Sequence, residues 1–206
     1  MYCKKTLTLC ASILFLSACG GGGGGEGSVP VAAPVTASKG VFVDSIVEGV
    51  HYETPTYSGT TNSLGEYDYL PGETVTFSIG GISLGSADAG PVVTPLSLVS
   101  GATDATDPEV TNIVRLLLTL DDDGDPTNGI TISAATATAA ESLTVDFTAV
   151  DLTADAGVTT LLAAIPGAPT LVDETTAQTH FTDTLASIST WGGMSWGNGT
   201  WQAAAP

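Results

Sequence analysis

KGVFVDSIVEGVHYETPTYSGTTNSLGEYDYLPGETVTFSIGGISL, residues 39–84, is a succession of short alternating stretches separated by turn residues. Successive side chains of a strand point to opposite faces, so alternation of apolar and polar residues marks half-buried antiparallel strands. Gly40-Val41-Phe42-Val43-Asp44 opens the series and Gly49-Val50-His51-Tyr52-Glu53-Thr54 comes next. The turn at Asn62-Ser63-Leu64-Gly65 leads into Glu66-Tyr67-Asp68-Tyr69. Pro71-Gly72 leads into Glu73-Thr74-Val75-Thr76-Phe77-Ser78-Ile79, and Gly80-Gly81 joins this to a short fifth strand, Ile82-Ser83-Leu84.

Further along, the period changes to that of helices. Val110, Ile113, Val114, Leu117 and Leu118 fall on one face, with Thr111, Asn112, Arg115 and Thr119 elsewhere, and Thr106 with Glu109 predicts a capping box around Pro108. A second helix is expected from about Ala154 to Ala164, stopping at Pro166-Gly167, and a third from Asp173 as N-cap through Ala177, Phe181, Leu185 and Ile188. Ala134 to Ser142 is a weaker helix, because its threonines lower its propensity. The expected class is therefore α+β: a small antiparallel β-sandwich module over 39–100, then a mainly helical segment over 101–190.

The ends of the chain are not part of this pattern. Lys4 and Lys5, the apolar stretch Leu7 to Leu16 and the small residues before Cys19 have the three regions of a secretory leader over 1–18. The apolar stretch is too short to span a bilayer, which needs about 20 residues. Residues 19–38, beginning with Gly20 to Gly25 and including Pro30 and Pro34, read as a tether. Residues 191–206 form a tail in which Trp191, Trp196 and Trp201 recur every fifth residue among glycines, a spacing that fits neither a strand face nor a helix face.

Leu16-Ser17-Ala18-Cys19 resembles the box at which bacterial lipoprotein precursors are cleaved and lipidated. The resemblance implies a mature chain beginning at Cys19, with a diacylglyceryl thioether and an acylated amino terminus. Gly20 stands where the inner-membrane retention signal would place Asp, which implies the outer membrane, on its periplasmic or cell-surface face. V-D-x-x-V-x-G-V-x-Y from Val43 to Tyr52, then T-N-S-x-G-E-Y, a Pro-Gly turn and V-T-F resemble the prealbumin-like modules called carboxypeptidase regulatory-like domains. That family implies a β-sandwich with adhesive, spacer or structural duties and no catalytic residues. V-T-P-L-S-L, the helix after it and L-D-D-D-G-D-P-T-N-G-I are similar in layout to a group of secreted Gram-negative lipoproteins of uncharacterised function.

Charge and cysteine usage narrow the chemistry. The leader carries Lys4 and Lys5 and no carboxylate, so removing it moves the formal net charge from −18 to about −20. Such a field repels nucleic acid, whose recognition rests on clustered Lys and Arg. Cys3 and Cys10 leave with the leader and Cys19 is consumed by lipid, so no thiol remains for a disulfide, a metal or a nucleophile.

Asp121-Asp122-Asp123-Gly124-Asp125 falls where the Val110 to Leu120 helix should end, and carboxylates are unfavourable beside the negative end of a helix dipole. A Ca²⁺ ion held by Asp121, Asp123 and Asp125 would reverse that effect, since alternate carboxylates on a turning backbone point inward together. Asp123 to Ile130 approximates the start of an EF-hand loop, but Asn128 stands where the sharp-turn glycine belongs and Ala134 where the closing Glu belongs. The competing reading is a solvated acidic turn. Gly81-Ile82-Ser83-Leu84-Gly85 matches the G-x-S-x-G string of serine hydrolases, yet Gly85-Ser86-Ala87-Asp88-Ala89-Gly90-Pro91 cannot start a sound helix, so Ser83 is expected in a hairpin. His180 and His51 are expected to pack rather than to act as base or ligand. Trp191, Trp196 and Trp201, with Tyr52, Tyr57, Tyr67 and Tyr69, are candidate ligand-contacting aromatics.

The expectation is a non-catalytic, lipid-anchored adhesion, spacer or protein-interaction module, joined to the membrane through Cys19. The alternatives are a Ca²⁺-dependent carbohydrate-binding protein and a secreted hydrolase that places His180 beside a nucleophile.

Overall fold

The computed structural model describes residues 36–190 and the backbone of 194–197 and 200–203. The leader, Cys19, Trp191 and the tether up to residue 35 lie outside the described residues, as do the side chains of Trp196 and Trp201.

Strand β1 (Ser38–Phe42) lies between β5 (Glu66–Tyr69), antiparallel to it, and β8 (Val92–Val93), parallel to it. A second, wholly antiparallel sheet has the order β4 (Ser58–Thr60), β3 (His51–Glu53), β6 (Thr74–Ile79), β7 (Ile82–Asp88). Alternation works as expected: Val75, Phe77 and Ile79 of β6 and Ile82 and Leu84 of β7 are buried, while Ser83 between them is exposed. Phe42 of the first sheet stacks on Phe77 of the second with ring centres 4.3 Å apart, and Tyr67 meets Phe77 edge-on at 5.3 Å. Aromatic pairs of this geometry add to the gain from burying their area, and here they join the two sheets.

Three expectations about the strands need correction. The first strand stops at Phe42, because Asp44 and Ser45 turn the chain so that Val43 bridges Ile46, with Ser45 at φ 58°. Strand β7 continues beyond Leu84 to Asp88, because the ladder shifts register opposite Phe77 and Ser78 and resumes. Gly85 makes that bulge possible: its φ is +123°, and a Cβ there would stand 2.9 Å from the Leu98 carbonyl oxygen. Strands β2 (Val47–Glu48), β4, β8 and β9 (Ile130–Thr131) were not predicted, being too short to display a period.

The helices are α1 (Pro95–Leu98), α2 (Pro108–Thr119), α3 (Ala134–Ala139), α4 (Ala156–Ala164) and α5 (Glu174–Thr190). The cap of α2 is Asp107 rather than Thr106: its carboxylate accepts from the backbone N–H groups of Glu109 and Val110, and Pro108 takes the first helical position. Thr106 instead donates its hydroxyl to Asp104.

Periodicity gives α2 a polar face, yet every residue from Val110 to Thr119 is buried. It is the central element of one continuous core that extends from Phe42 to Phe181, with β9 paired to β2 across the sequence. Among the described residues no helix is long and apolar enough to cross a membrane.

Candidate functional site

The polar residues of α2 are consumed by the fold. Asn112 Nδ2 donates to the carbonyls of Phe147 and Ala149, and its Oδ1 accepts from Arg115. Arg115 Nε donates to the Val172 carbonyl, Thr119 Oγ1 accepts from the Val172 N–H, and Glu174 lies 3.6 Å from the Arg115 guanidinium. Buried polar groups need partners, and here they stitch two irregular segments over the helix. A cleft of about 410 Å³ opens beside them between Thr111, Gln178, Glu174 and the exposed Val150. Gln178 donates to Thr111, so the polar groups at its floor are already bonded to one another.

The acidic loop begins immediately after α2. Asp121 is buried, 8% exposed; Oδ1 accepts from the Thr131 N–H, and Asp122 N–H donates to the Thr131 carbonyl. Its other oxygen, Oδ2, is buried without a hydrogen-bond partner. Asp123 accepts from the Asp125 N–H and from Asn128 Nδ2, and Asp125 accepts from both the N–H and the hydroxyl of Thr127. Burial pushes the Asp121 carboxyl above its ordinary range and the neighbouring charge of Asp123 adds to this, while the Asn128 amide holds Asp123 below it. Among the described residues no group of three or more His, Cys, Asp or Glu side chains is placed to hold a metal ion. One oxygen of each of Asp121, Asp123 and Asp125 accepts from a backbone N–H group.

Ser83 is exposed in mid-strand, opposite Ser78, and the glycines of its G-x-S-x-G string belong to a hairpin turn and a bulge. The strained strand-to-helix elbow that the motif requires is not formed there. His180 is engaged elsewhere: its Nε2 stands 3.3 Å from Oδ1 of Asp44, which is fully buried in the turn after β1. The two atoms lie within ion-pair distance, and the contact is a charge pair when the imidazole holds its proton and Asp44 does not. Asp44 chiefly raises the imidazole pKa, and burial raises that of Asp44, with His180 opposing. Sequence reading missed this pair because its members lie far apart with no motif spacing.

The aromatic candidates divide. Tyr52, Tyr67 and Tyr69 are buried in the core and Tyr57 packs against it, so they are not exposed platforms. Met194–Gly197 and Thr200–Ala203 form two antiparallel strands, β10 and β11, with Trp196 directly opposite Trp201. The interval between Trp196 and Trp201 is thus a cross-strand register, with Asn198-Gly199 between them in the sequence as its signal.

No family model matches the chain, and no curated protein and no solved structure matches it.

Proposed function

We propose that the chain is a lipoprotein anchored through Cys19 to the outer membrane, whose folded part is a non-catalytic adhesion, spacer or protein-interaction module built on a prealbumin-like β-sandwich. The observation that carries this reading is Leu16-Ser17-Ala18-Cys19 at the end of a leader with a basic start and an apolar middle. Two facing sheets joined by Phe42, Phe77 and Tyr67 support the sandwich. The engagement of His180 by Asp44 and the exposed mid-strand position of Ser83 support a non-catalytic role.

Two acyl attachments give stable anchoring where a single chain gives only reversible binding. The protein should therefore partition into detergent, and Cys19→Ala should accumulate as an uncleaved or mislocalised precursor. Normal processing and membrane recovery of that variant would contradict the anchor, and a covalent adduct of a serine-directed phosphonate on Ser83 would contradict the non-catalytic role.

A second reading, a Ca²⁺-dependent carbohydrate-binding module, is favoured by one observation: the buried, unpartnered Oδ2 of Asp121 beside Asp123. Ca²⁺ bound only by the folded state would stabilise it by about 2.7 kcal/mol at a hundredfold excess over Kd. A thermal melt with chelator, Ca²⁺ and Mg²⁺ at matched ionic strength reads this directly. Equal shifts with both ions, or a Ca²⁺ shift that survives Asp121→Asn, would leave a solvated turn.

A further inference from the structure

The turn that ends β1 and the last described helix meet at one buried charged contact. Asp44 is fully buried, both of its carboxylate oxygens and His180 Nε2 are without hydrogen-bond partners, and the two side chains stand 3.3 Å apart. Helix α5 has 17 residues; among its described side chains Ala177, Phe181 and Thr184 are buried and Leu185 packs against the core. Beside the contact lies a cleft of about 240 Å³, walled by Val43, Ser45 and Ile46 on one side and by Thr184 and Ile188 on the other. The helix thus crosses this corner next to open space.

We propose that Asp44 and His180 form a pH-responsive latch, which holds α5 against the turn after β1 while the imidazole carries its proton and releases the helix when that proton leaves. Removing one member of a buried charge pair leaves the other uncompensated, which is strongly unfavourable. When the imidazole becomes neutral, the buried Asp44 carboxylate loses its compensating charge; its chain neighbours Val43 and Ser45 line the adjoining cleft. The strands β10 and β11 come after α5 in the chain, so the latch governs the element from which they extend.

The other charged groups nearby are accounted for. Asp183, on α5 itself, also favours the protonated imidazole. From α2, Arg115 is held by Val172, Asn112 and Glu174. In the loop after α2, Asp123 and Asp125 are bonded to Asn128 and Thr127. The pKa values of Asp44 and His180 are both raised on folding, so the folded state binds more protons than the unfolded one. The contribution of His180 is complete below its ordinary value of 6.5 and is lost as the pH rises through its higher folded value.

The test is hydrogen exchange on the intact protein, read at the amides of α5 and α2 across this pH range and corrected for intrinsic exchange. In the wild type, α5 should lose protection relative to α2 as the pH rises, roughly tenfold for each unit by which folding has raised the imidazole pKa. In Asp44→Asn the difference between the helices should not vary with pH and the imidazole, followed by NMR, should titrate closer to its ordinary value; in His180→Gln the step that follows the imidazole should be gone, any remaining variation following the buried Asp44 carboxyl. If Asp44→Asn does not fold, the pH profile of His180→Gln decides alone. A wild-type profile reproduced by His180→Gln, or α5 and α2 losing protection in step, would overturn the latch.

Discussion

Four Asp-x-Thr steps account for four of the chain's 22 acidic residues. In Asp104-Ala105-Thr106, Asp125-Pro126-Thr127, Asp146-Phe147-Thr148 and Asp151-Leu152-Thr153, one aspartate oxygen accepts from both the N–H and the hydroxyl of the threonine two residues on. Asx turns of this kind fix loop geometry. Asp107 does the same work for α2, and its replacement by Ala should lower stability by about 1 kcal/mol in denaturant titration, with α2 fraying first in hydrogen exchange. Gly40 serves a close approach: the Tyr67 ring crosses it to reach Gly90, where the hydroxyl donates to the carbonyl at 2.7 Å and accepts from the N–H at 3.0 Å. A Cβ on residue 40 would collide with that ring and with the Gly90 carbonyl oxygen. Gly40→Ala should therefore destabilise by about 1–3 kcal/mol, which a melting curve against wild type measures. Burial pushes the Tyr67 hydroxyl up to about 12, so its ionisation should come last in an alkaline spectroscopic titration.

Among the elements, the longer helices and the strands with clear alternation were legible in the sequence, since a period needs several residues to show itself. Helix α2 was visible from Val110, Ile113, Val114, Leu117 and Leu118, but its central position was not, because Asn112 and Arg115 look like a solvent face until their partners at 147, 149 and 172 are known. Strands β2 and β9 rest on two residues each and exist only because the fold brings Val47 to Ile130. For the candidate sites, Ser83 was legible by its context. The Asp44 and His180 pair was not, since spatial neighbours remote in sequence leave no local pattern. Helix α5 packs on α2 through Ala177, Phe181 and Leu185. Phe181→Ala should lower global stability by about 3–5 kcal/mol, near the upper end for a single truncation, whereas Thr182→Ala on its exposed side should change little.

At the scale of the whole molecule, two opposed sets of groups define a pH window. Asp104, Asp146, Asp151 and Asp173 are held below the ordinary 3.8, each first by a threonine hydroxyl, so their contribution is present above that value and is lost as the pH falls through their folded values. His180 acts with the opposite sign, its contribution disappearing on the alkaline side of 6.5. Thermal melts should therefore show greatest stability between these limits, with Asp44→Asn flattening the alkaline limb alone. The net charge of −18 adds a self-repulsion that salt screens, so monovalent salt should raise the melting temperature without any specific site. The anchor belongs to this scale too, because it decides where the molecule resides. Its most direct test is the intact mass, with amino-terminal fragmentation, of the protein recovered from the membranes of a Gram-negative host. The account predicts a chain beginning at Cys19 and carrying diacylglycerol and amide-linked acyl chains. A chain that retains Met1, or begins elsewhere with Cys19 unmodified, would contradict it.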